Sequence, residues 1–203
     1  MKTIGLITTD DKKIEAFPFS KYWQTACLPV GNQPNIKHTV HLMEEAGLDS
    51  IYIIEKYLPK QIRNSLKDHK NIHFLKSLEE FISLLPNDVD VLYIKGNKYV
   101  PKQHLNLLLQ NRKKFRNGLL SVSKKSLYKN ASNHFGVKAE NSTVESIYGY
   151  TREHYMDYIL NGIYLFEGQI YQYFNQTEEG FQNVPAGGMP QLNFYIENLI
   201  QEA

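Results

Sequence analysis

The stretch from Cys27 to Ile54, CLPVGNQPNIKHTVHLMEEAGLDSIYII, holds the pattern that decides the fold. Apolar residues recur at intervals of three and four from Ile36 to Ala46, which predicts an amphipathic helix. Gly47 is placed to end that helix as a C′ residue. Ser50 to Ile54 then forms a short, continuous apolar run, which is typical of a buried strand. The stretch therefore predicts a helix that leads directly into a strand of a largely parallel sheet.

The same alternation of strands and helices extends to both sides of this stretch. Before residue 123 the pattern predicts strands at Thr3–Thr8, Ile72–Leu75, Val89–Ile94 and Leu119–Val122, a helix from Pro59, one after the capping box Ser77–Glu80, and one over Gln103–Phe115 with Pro101 at its N1 position. Such an order predicts an α/β fold, a single Rossmann-like domain over residues 1–203 with a central mixed, mostly parallel sheet. After Val122 the pattern predicts a hairpin around Asn141, a strand at Tyr158–Phe166, and helices at Gln169–Phe174 and Leu192–Ile200.

Composition excludes several classes of protein. Hydrophobic residues make up 42% and charged residues 22% of the 203 residues, which is typical of a globular protein and not of a disordered or fibrous one. The formal net charge of +2 does not indicate a nucleic-acid binder. Apolar runs stay well short of the ~20 residues of a membrane helix, and Asp10 and Asp11 come too early for a signal peptide. The single cysteine, Cys27, fits a reducing compartment and is expected to be buried rather than reactive. A cytoplasmic protein that binds neither nucleic acid nor membrane is predicted.

The candidate site is expected at the carboxyl ends of the strands, where open α/β sheets bind ligands. Three loops meet that condition, after Thr8, after Ile54 and after Ile94. The first is the longest, because Thr9–Pro34 shows no periodicity and contains three prolines. Loops of that length in compact domains are more often functional than not.

Five pieces of the chain, in order, resemble the sugar nucleotidyltransferases (NDP-sugar pyrophosphorylases). They are Cys27–Ile36 with its L-P-V-G, Glu45–Ile54 with its E-A-G-L, Leu92–Asn97, Phe135–Val137 and Asn161–Phe166. Together these pieces span nearly the whole chain. The resemblance implies a protein that joins a nucleoside triphosphate to a sugar 1-phosphate, releases pyrophosphate and uses Mg²⁺. Such chemistry depends on positioning, cations and backbone amides that hold negative charge.

Three elements of that family are changed in this chain. Where the resemblance places the glycines of the phosphate-binding loop, the chain has Asp11 and Lys13, and Glu15 stands in place of an arginine. Thr25 takes the place of the phosphate-pairing lysine, and Asn97 that of a magnesium-binding aspartate. Only glycine lets a backbone close tightly on phosphate, and a neutral amide is a poor ligand for a hard dication. The resemblance therefore implies a member whose catalytic motifs are degenerate.

The leading interpretation is a catalytically impaired protein that binds a nucleotide, a nucleotide sugar or a partner subunit. Its candidate ligand-binding residues are Thr8, Thr9, Thr25, Gly96, Asn97, Gly136 and Asn161. The alternative is an active nucleotidyltransferase in which Asp10 and Asp11 hold the metal and Lys13 or Lys21 supplies the lost cation. The chain also ends near where the family has a second metal-binding aspartate, which is consistent with the N-terminal part of a longer protein.

A third interpretation is a structural or interaction subunit that forms a homo- or hetero-oligomer. It depends on a tyrosine-rich segment, since tyrosine is common at interfaces and at sites that stack on sugars. The tyrosines are Tyr148, Tyr150, Tyr155, Tyr158, Tyr164, Tyr171 and Tyr173.

Three further patterns favour structural explanations. Asp88-Val89-Asp90 fits a D-x-D metal motif, but it precedes its strand and so indicates a strand-entry turn. His38, His41 and Glu45 share one helix face, where a polar flank is favoured over a zinc site. The basic run Arg112–Arg116 is expected in solvent at a helix C-terminus, where cations complement the dipole.

Overall fold

The computed structural model describes residues 2–9, 18–55, 57–86, 88–114, 118–127, 136–141, 143–148 and 156–167. The chain divides into two compact units. The first contains Met1–Leu119 and Gly162–Gly168, and the second contains Leu120–Asn161 and Gln169–Ala203. The expectation of one domain over residues 1–203 stays a prediction.

The described strands and helices follow the predicted order. The strands are β1 (Lys2–Thr8), β2 (Pro29–Val30), β3 (Gln33–Pro34), β4 (Ile51–Ile54), β5 (Ile72–Leu75), β6 (Val89–Lys95), β7 (Gly118–Lys124), β8 (Gly136–Glu140), β9 (Thr143–Tyr148) and β10 (Tyr158–Phe166). The helices are α1 (Asn35–Glu45), α2 (Pro59–Ser65), α3 (Leu78–Ser83) and α4 (Lys102–Asn111).

The first unit is built on a mixed sheet with the strand order β5-β4-β1-β6-β10. The pairs β5–β4, β4–β1 and β1–β6 are parallel, and the C-terminal half of β10 runs antiparallel to β6. In this register Thr8 lies opposite Ile54 on one side and Lys95 on the other. The carboxyl ends of β1, β4 and β6 therefore meet at one edge of the sheet.

Helices cover both faces of this sheet, as in a doubly wound fold. On one face, Ile36, Val40 and Met43 of α1 are fully buried in one core with Ile7 and Ile53. The same core includes apolar side chains of α2 and α4. On the other face, the ring of Phe81 in α3 contacts Tyr52 edge-on, with 5.3 Å between ring centroids. Apolar side chains from both faces thus remove most of β4 and β1 from water, which explains their continuous apolar sequences.

The second unit contains the predicted hairpin. Strands β8 and β9 pair antiparallel, and Asn141 connects them with a φ of 50°. Asparagine tolerates this left-handed conformation better than most residues. The first residues of β10 extend the hairpin, since Tyr158 pairs with Val137 of β8.

Two local expectations need correction. Pro101 lies at the N-cap of α4 rather than at N1, because its ψ of 138° is extended, and the α-helix ends at Asn111. The stretch Thr9–Pro34 contains short elements where it is described: 3-10 helices at Phe19–Lys21 and Thr25–Cys27, and the β2–β3 pair.

The capping box is confirmed in a modified form. Ser77 accepts a hydrogen bond from the Glu80 backbone, and the Glu80 carboxylate accepts one from the backbone N–H of Lys76 instead of Ser77. The helices predicted at Gln169–Phe174 and Leu192–Ile200 lie outside the described residues. Of the helices within the described ranges, none is both long and apolar enough to cross a membrane.

Candidate functional site

The end of β1 is tied to both neighbouring strands by threonine side chains. The Thr8 and Tyr93 hydroxyls share a hydrogen bond of 2.8 Å, which links β1 to β6. Thr9 donates from Oγ1 and from its backbone N–H to the carbonyl oxygen of Ile54, at 2.9 and 3.0 Å. Polar side chains thus hold together the edge where a ligand is expected.

The side chain of Gln24 lies at the centre of this edge. It is fully buried, and its Nε2 donates to the carbonyl oxygens of Thr9 and, at 3.2 Å, of Tyr57. Its Oε1 accepts from the backbone N–H of Ala26 at 3.2 Å and from the hydroxyl of Thr25 at 3.1 Å. One carboxamide therefore joins the 3-10 helix at Thr25–Cys27 to the ends of β1 and β4.

The backbone around Gln24 is held by α2. The N–H of Gln24 donates to Oε1 of Gln61 at 2.7 Å, and Nε2 of Gln61 donates to the carbonyl oxygen of Tyr22 at 2.7 Å. Sequence reasoning missed Gln24, since the partners that tie it to β1, β4 and α2 lie 15 to 37 residues away and no periodicity marks it.

Two predicted positions belong to this same segment. Thr25, where the resemblance places a lysine, is buried and directs its hydroxyl to Gln24. Lys21 is exposed on the 3-10 helix Phe19–Lys21, with its Nζ 5.4 Å from the centroid of the Tyr22 ring.

Gly96 brings the end of β6 against the end of β1. Its N–H donates to the carbonyl oxygen of Thr8 at 2.9 Å. A Cβ at this position would lie 3.0 Å from that oxygen and 3.1 Å from both Thr9 Cγ2 and Ala26 Cβ. Glycine is thus required here because neighbouring atoms leave no space for a Cβ, and not because of a left-handed backbone conformation.

Asn97 follows in a turn closed by a hydrogen bond of 2.9 Å from the N–H of Lys98 to the carbonyl oxygen of Lys95. The first residue of α1, Asn35, is hydrogen-bonded to this turn. Its Nδ2 donates to the carbonyl oxygens of Gly96 and Lys98, each at 2.9 Å. The amino end of α1 therefore positions Asn97 at the edge.

Lys95 places a cation at this edge that sequence reasoning did not single out. It is the last residue of β6 and lies opposite Thr8 in the parallel register. Its aliphatic stem crosses Gly162, which has a φ of 76°, and a Cβ there would lie 3.0 Å from Lys95 Cδ. The absence of a side chain at Gly162 leaves space for the Lys95 stem.

A carboxylate at this edge is already neutralised. Glu55, the residue after β4, has a side chain only 5% exposed and accepts hydrogen bonds from the guanidinium of Arg63, one of them 2.8 Å from Nε. This hydrogen bond and the charge of Glu55 raise the pKa of Arg63. Glu55 therefore adds little net negative charge.

Of the predicted ligand-binding residues, Thr8, Thr9, Thr25, Gly96 and Asn97 come together in the first unit. The other two, Gly136 and Asn161, belong to the second unit. Asp10, Asp11 and Lys13 lie outside the described residues.

Within the second unit, Asn161 and Gly136 serve local packing. The Asn161 amide accepts a hydrogen bond from Ser123 Oγ at 2.9 Å and donates one to Ser121 Oγ at 3.0 Å. A Cβ at Gly136 would collide with the side chain of Met156.

The D-x-D pattern and the basic run are connected. Asp90 is buried at the amino end of β6, away from the candidate edge, and accepts a hydrogen bond of 2.8 Å from Arg112. The expectation that the basic run lies in solvent is therefore wrong for Arg112, whose side chain is only 12% exposed. A buried carboxylate requires a nearby positive charge, which Arg112 supplies. Lys113 and Lys114 are exposed, as predicted.

The histidine flank of α1 makes local contacts. The ring of His38 stacks on Tyr99 at 5.0 Å, while His41 lies 3.8 Å from Glu45, which also pairs with Lys102. Across the described ranges, no three His, Cys, Asp or Glu side chains are grouped to hold a metal ion.

Cys27 is buried, as predicted. Burial raises the pKa of its thiol, and a weak hydrogen bond from Ser65 Oγ, 3.7 Å from the sulfur, partly opposes that effect.

The tyrosine-rich surface needs a partial correction. Tyr164 is fully buried and stacks on Tyr93, with 5.3 Å between ring centroids, because β10 packs inside the sheet. Four of the seven tyrosines, Tyr150, Tyr155, Tyr171 and Tyr173, lie outside the described residues.

Neither a known family model nor a curated protein matches this chain. Solved structures do resemble it. A protein described as a glucose-1-phosphate thymidylyltransferase from Bacillus anthracis, in complex with sucrose, aligns over 98% of this chain and 84% of its own, with a TM-score of 0.70 and 17% identity. A UDP-glucose pyrophosphorylase complexed with UDP-glucose aligns over 100% and 88%, with a TM-score of 0.75 and 13% identity. An apo-UDP-glucose pyrophosphorylase gives the same coverage, a TM-score of 0.71 and 14% identity. The chain therefore has the α/β fold of the nucleotide-diphospho-sugar transferases.

Proposed function

We propose that this chain binds a nucleotide or a nucleotide sugar at the carboxyl ends of β1, β4 and β6, without ordinary pyrophosphorylase activity. Two of the structural neighbours are UDP-glucose pyrophosphorylases, one of them with UDP-glucose bound. The edge proposed here is well ordered, since Gln24, Thr9 and Gly96 connect its segments. An edge held by buried polar contacts supports a binding role.

The observation that carries the proposal is that the Thr25 hydroxyl forms a hydrogen bond within the protein. Its hydroxyl donates to buried Gln24 at the position where the resemblance implies a phosphate-pairing lysine. A lysine side chain there would extend a cation toward a triphosphate, whereas the threonine hydroxyl is satisfied within the protein. The transition state of phosphoryl-type transfer gains most of its stabilisation from such cations.

Magnesium does not fit the described part of this edge. Asn97 offers a neutral oxygen, and the Glu55 carboxylate is paired with Arg63 through Oε1. Mg²⁺ prefers one or two carboxylates together with substrate phosphates. We therefore expect nucleotide binding to depend little on magnesium, with Lys95 as the cation at this edge that attracts a phosphate.

A second candidate function is an active nucleotidyltransferase with rewired residues. Lys95 favours it, because it supplies one positive charge at the edge in place of those lost elsewhere. Asp10 and Asp11 would have to hold the metal in that case, with Lys13 or Lys21 as a further cation.

A thermal-shift panel separates these candidates. Nucleoside triphosphates and nucleotide sugars are tested with and without magnesium, and pyrophosphate release is measured with each triphosphate and a set of sugar 1-phosphates. A ligand at a hundred times its Kd adds about 2.7 kcal/mol to the free energy of unfolding, which raises Tm by several degrees. We expect a magnesium-independent shift and no pyrophosphate. Magnesium-dependent pyrophosphate release would establish the second candidate instead.

A further inference from the structure

Three large aromatic side chains are exposed within the five residues that precede Gln24. Phe19 is 63% exposed, Tyr22 64% and Trp23 52%. Aromatic surface of this size is costly to leave in water, and contiguous exposed apolar surface commonly marks a binding site.

The segment that carries these rings is firmly attached. The N–H groups of Tyr22 and Trp23 both donate to the carbonyl oxygen of Phe19, at 3.0 and 2.9 Å. The carbonyl of Tyr22 and the N–H of Gln24 are both bound by Gln61 of α2. The backbone that carries the rings is therefore fixed next to the candidate edge, which reduces the entropy lost when the segment binds a ligand.

Two described lysines lie next to the segment, one within it and one on α2. Lys21 lies between Phe19 and Tyr22, and Lys60 precedes Gln61 on α2, and both lysines are exposed. The nearby carboxylate of Glu55 is neutralised by Arg63. An occupant that is both aromatic and anionic matches this combination of rings and cations.

We propose that the segment Phe19–Trp23 is a stacking surface for the base of a nucleoside phosphate, with the lysines attracting its phosphates. This inference rests on the proposed function and assigns its base-binding residues. A flat base matches an aromatic face, and stacking of one base is worth about 1–3 kcal/mol. A protein partner is disfavoured, because three side chains little more than half exposed offer far less than the ~800 Å² per partner of a stable interface.

The single tryptophan of the chain makes the test direct. Selective excitation of Trp23 during titration with nucleoside triphosphates reports stacking as a quench, whereas inorganic tripolyphosphate, which has no base, should leave the emission unchanged. In calorimetry, Trp23→Leu should weaken the Kd for the nucleotide by roughly tenfold, since that corresponds to about 1.4 kcal/mol. Trp23→Phe, which keeps a ring, should restore most of the affinity.

Tyr99→Leu is the matched control, because Tyr99 is also 52% exposed but its ring already stacks on His38. It should leave the nucleotide Kd unchanged. The inference is overturned if folded Trp23→Leu binds nucleotide as tightly as the natural chain, or if a bound nucleotide leaves Trp23 emission unchanged. It is also overturned if Trp23→Leu alters self-association and not nucleotide binding. If calorimetry detects no nucleotide binding to the natural chain, the proposed function fails together with the stacking inference. If the natural chain binds nucleotide and Trp23→Leu binds it equally tightly, only the stacking inference fails.

Discussion

The buried carboxamide of Gln24 donates a hydrogen bond to the backbone carbonyl oxygen of Thr9. Both residues are almost completely withdrawn from water, Gln24 at 0% and Thr9 at 3% exposure. Because Gln24 also binds the carbonyl of Tyr57, it determines how residues 22–27 lie against the ends of β1 and β4. The same segment carries Thr25 and Trp23, so this contact positions both the changed catalytic position and the proposed base-binding ring.

Gln24→Ala should lower the free energy of unfolding by about 2–4 kcal/mol, because it removes the amide that donates to the carbonyl oxygens of Thr9 and Tyr57. Urea denaturation of the variant beside Gln103→Ala, an exposed glutamine on α4, measures the difference. The control should stay within about 0.5 kcal/mol of the natural chain. Equal stability of the two variants would show that Gln24 does not organise the edge.

Arg112→Met should destabilise the fold by about 3–5 kcal/mol, because it leaves the buried carboxylate of Asp90 without its guanidinium partner. Lys113→Met removes a charge from an exposed neighbour in the same run and should have little effect. Adding Asp90→Leu to Arg112→Met should recover stability, since the unpaired buried charge is then gone. If Arg112→Met unfolds at the same urea concentration as Lys113→Met, the ion pair contributes nothing.

Cys27 should resist thiol reagents in the folded protein and react after unfolding, because it is buried and its pKa is raised. Unfolding lets the thiol lose its proton at a lower pH than in the native state. Its contribution to stability is therefore complete below the unfolded pKa of about 8.5 and decreases as the pH rises above that value. Urea titrations between about pH 7 and pH 10 should show a steeper loss for the natural chain than for Cys27→Ala. Parallel curves would contradict this.

Asn97→Asp should change how nucleotide binding responds to magnesium. The new carboxylate would repel phosphates when a chelator is present and would help to hold a phosphate-bound Mg²⁺ when the metal is present. The nucleotide Kd should therefore rise in chelator and fall in magnesium, whereas Asn106→Asp, at an exposed position of α4, should leave both values unchanged. Identical responses of the two variants would show that Asn97 does not lie near the bound phosphates.

Much of the fold follows from local sequence patterns. The continuous apolar run at Ile51–Ile54 and the alternation around it predict a buried parallel strand, and β10 has the predicted bounds. These predictions succeed because a strand buried on both faces must be apolar along its whole length. The first residue of α4 was misplaced, since Pro101 is compatible with both N1 and N-cap and only the backbone distinguishes them.

The site was predicted less completely, because its contacts join distant parts of the chain. Thr8, Thr9 and Gly96 were expected at this edge from the rule that ligands bind beyond strand ends, and the structure places them there. Gln24 was missed because its distant partners lie just after β1, on α2 and in the loop before α2. Lys95 was missed because the space for its aliphatic stem is provided by Gly162, which is distant in the sequence.

The central claim is that this edge binds a nucleotide or nucleotide sugar without the magnesium-dependent chemistry of a pyrophosphorylase. Calorimetric titration of the ligand found by thermal shift, in magnesium and in chelator, with pyrophosphate measured in the same samples, tests it most directly. We predict saturable binding with a similar Kd in both buffers and no pyrophosphate. Binding that requires magnesium, together with pyrophosphate release, would contradict the claim, and so would the absence of binding by every nucleotide and nucleotide sugar.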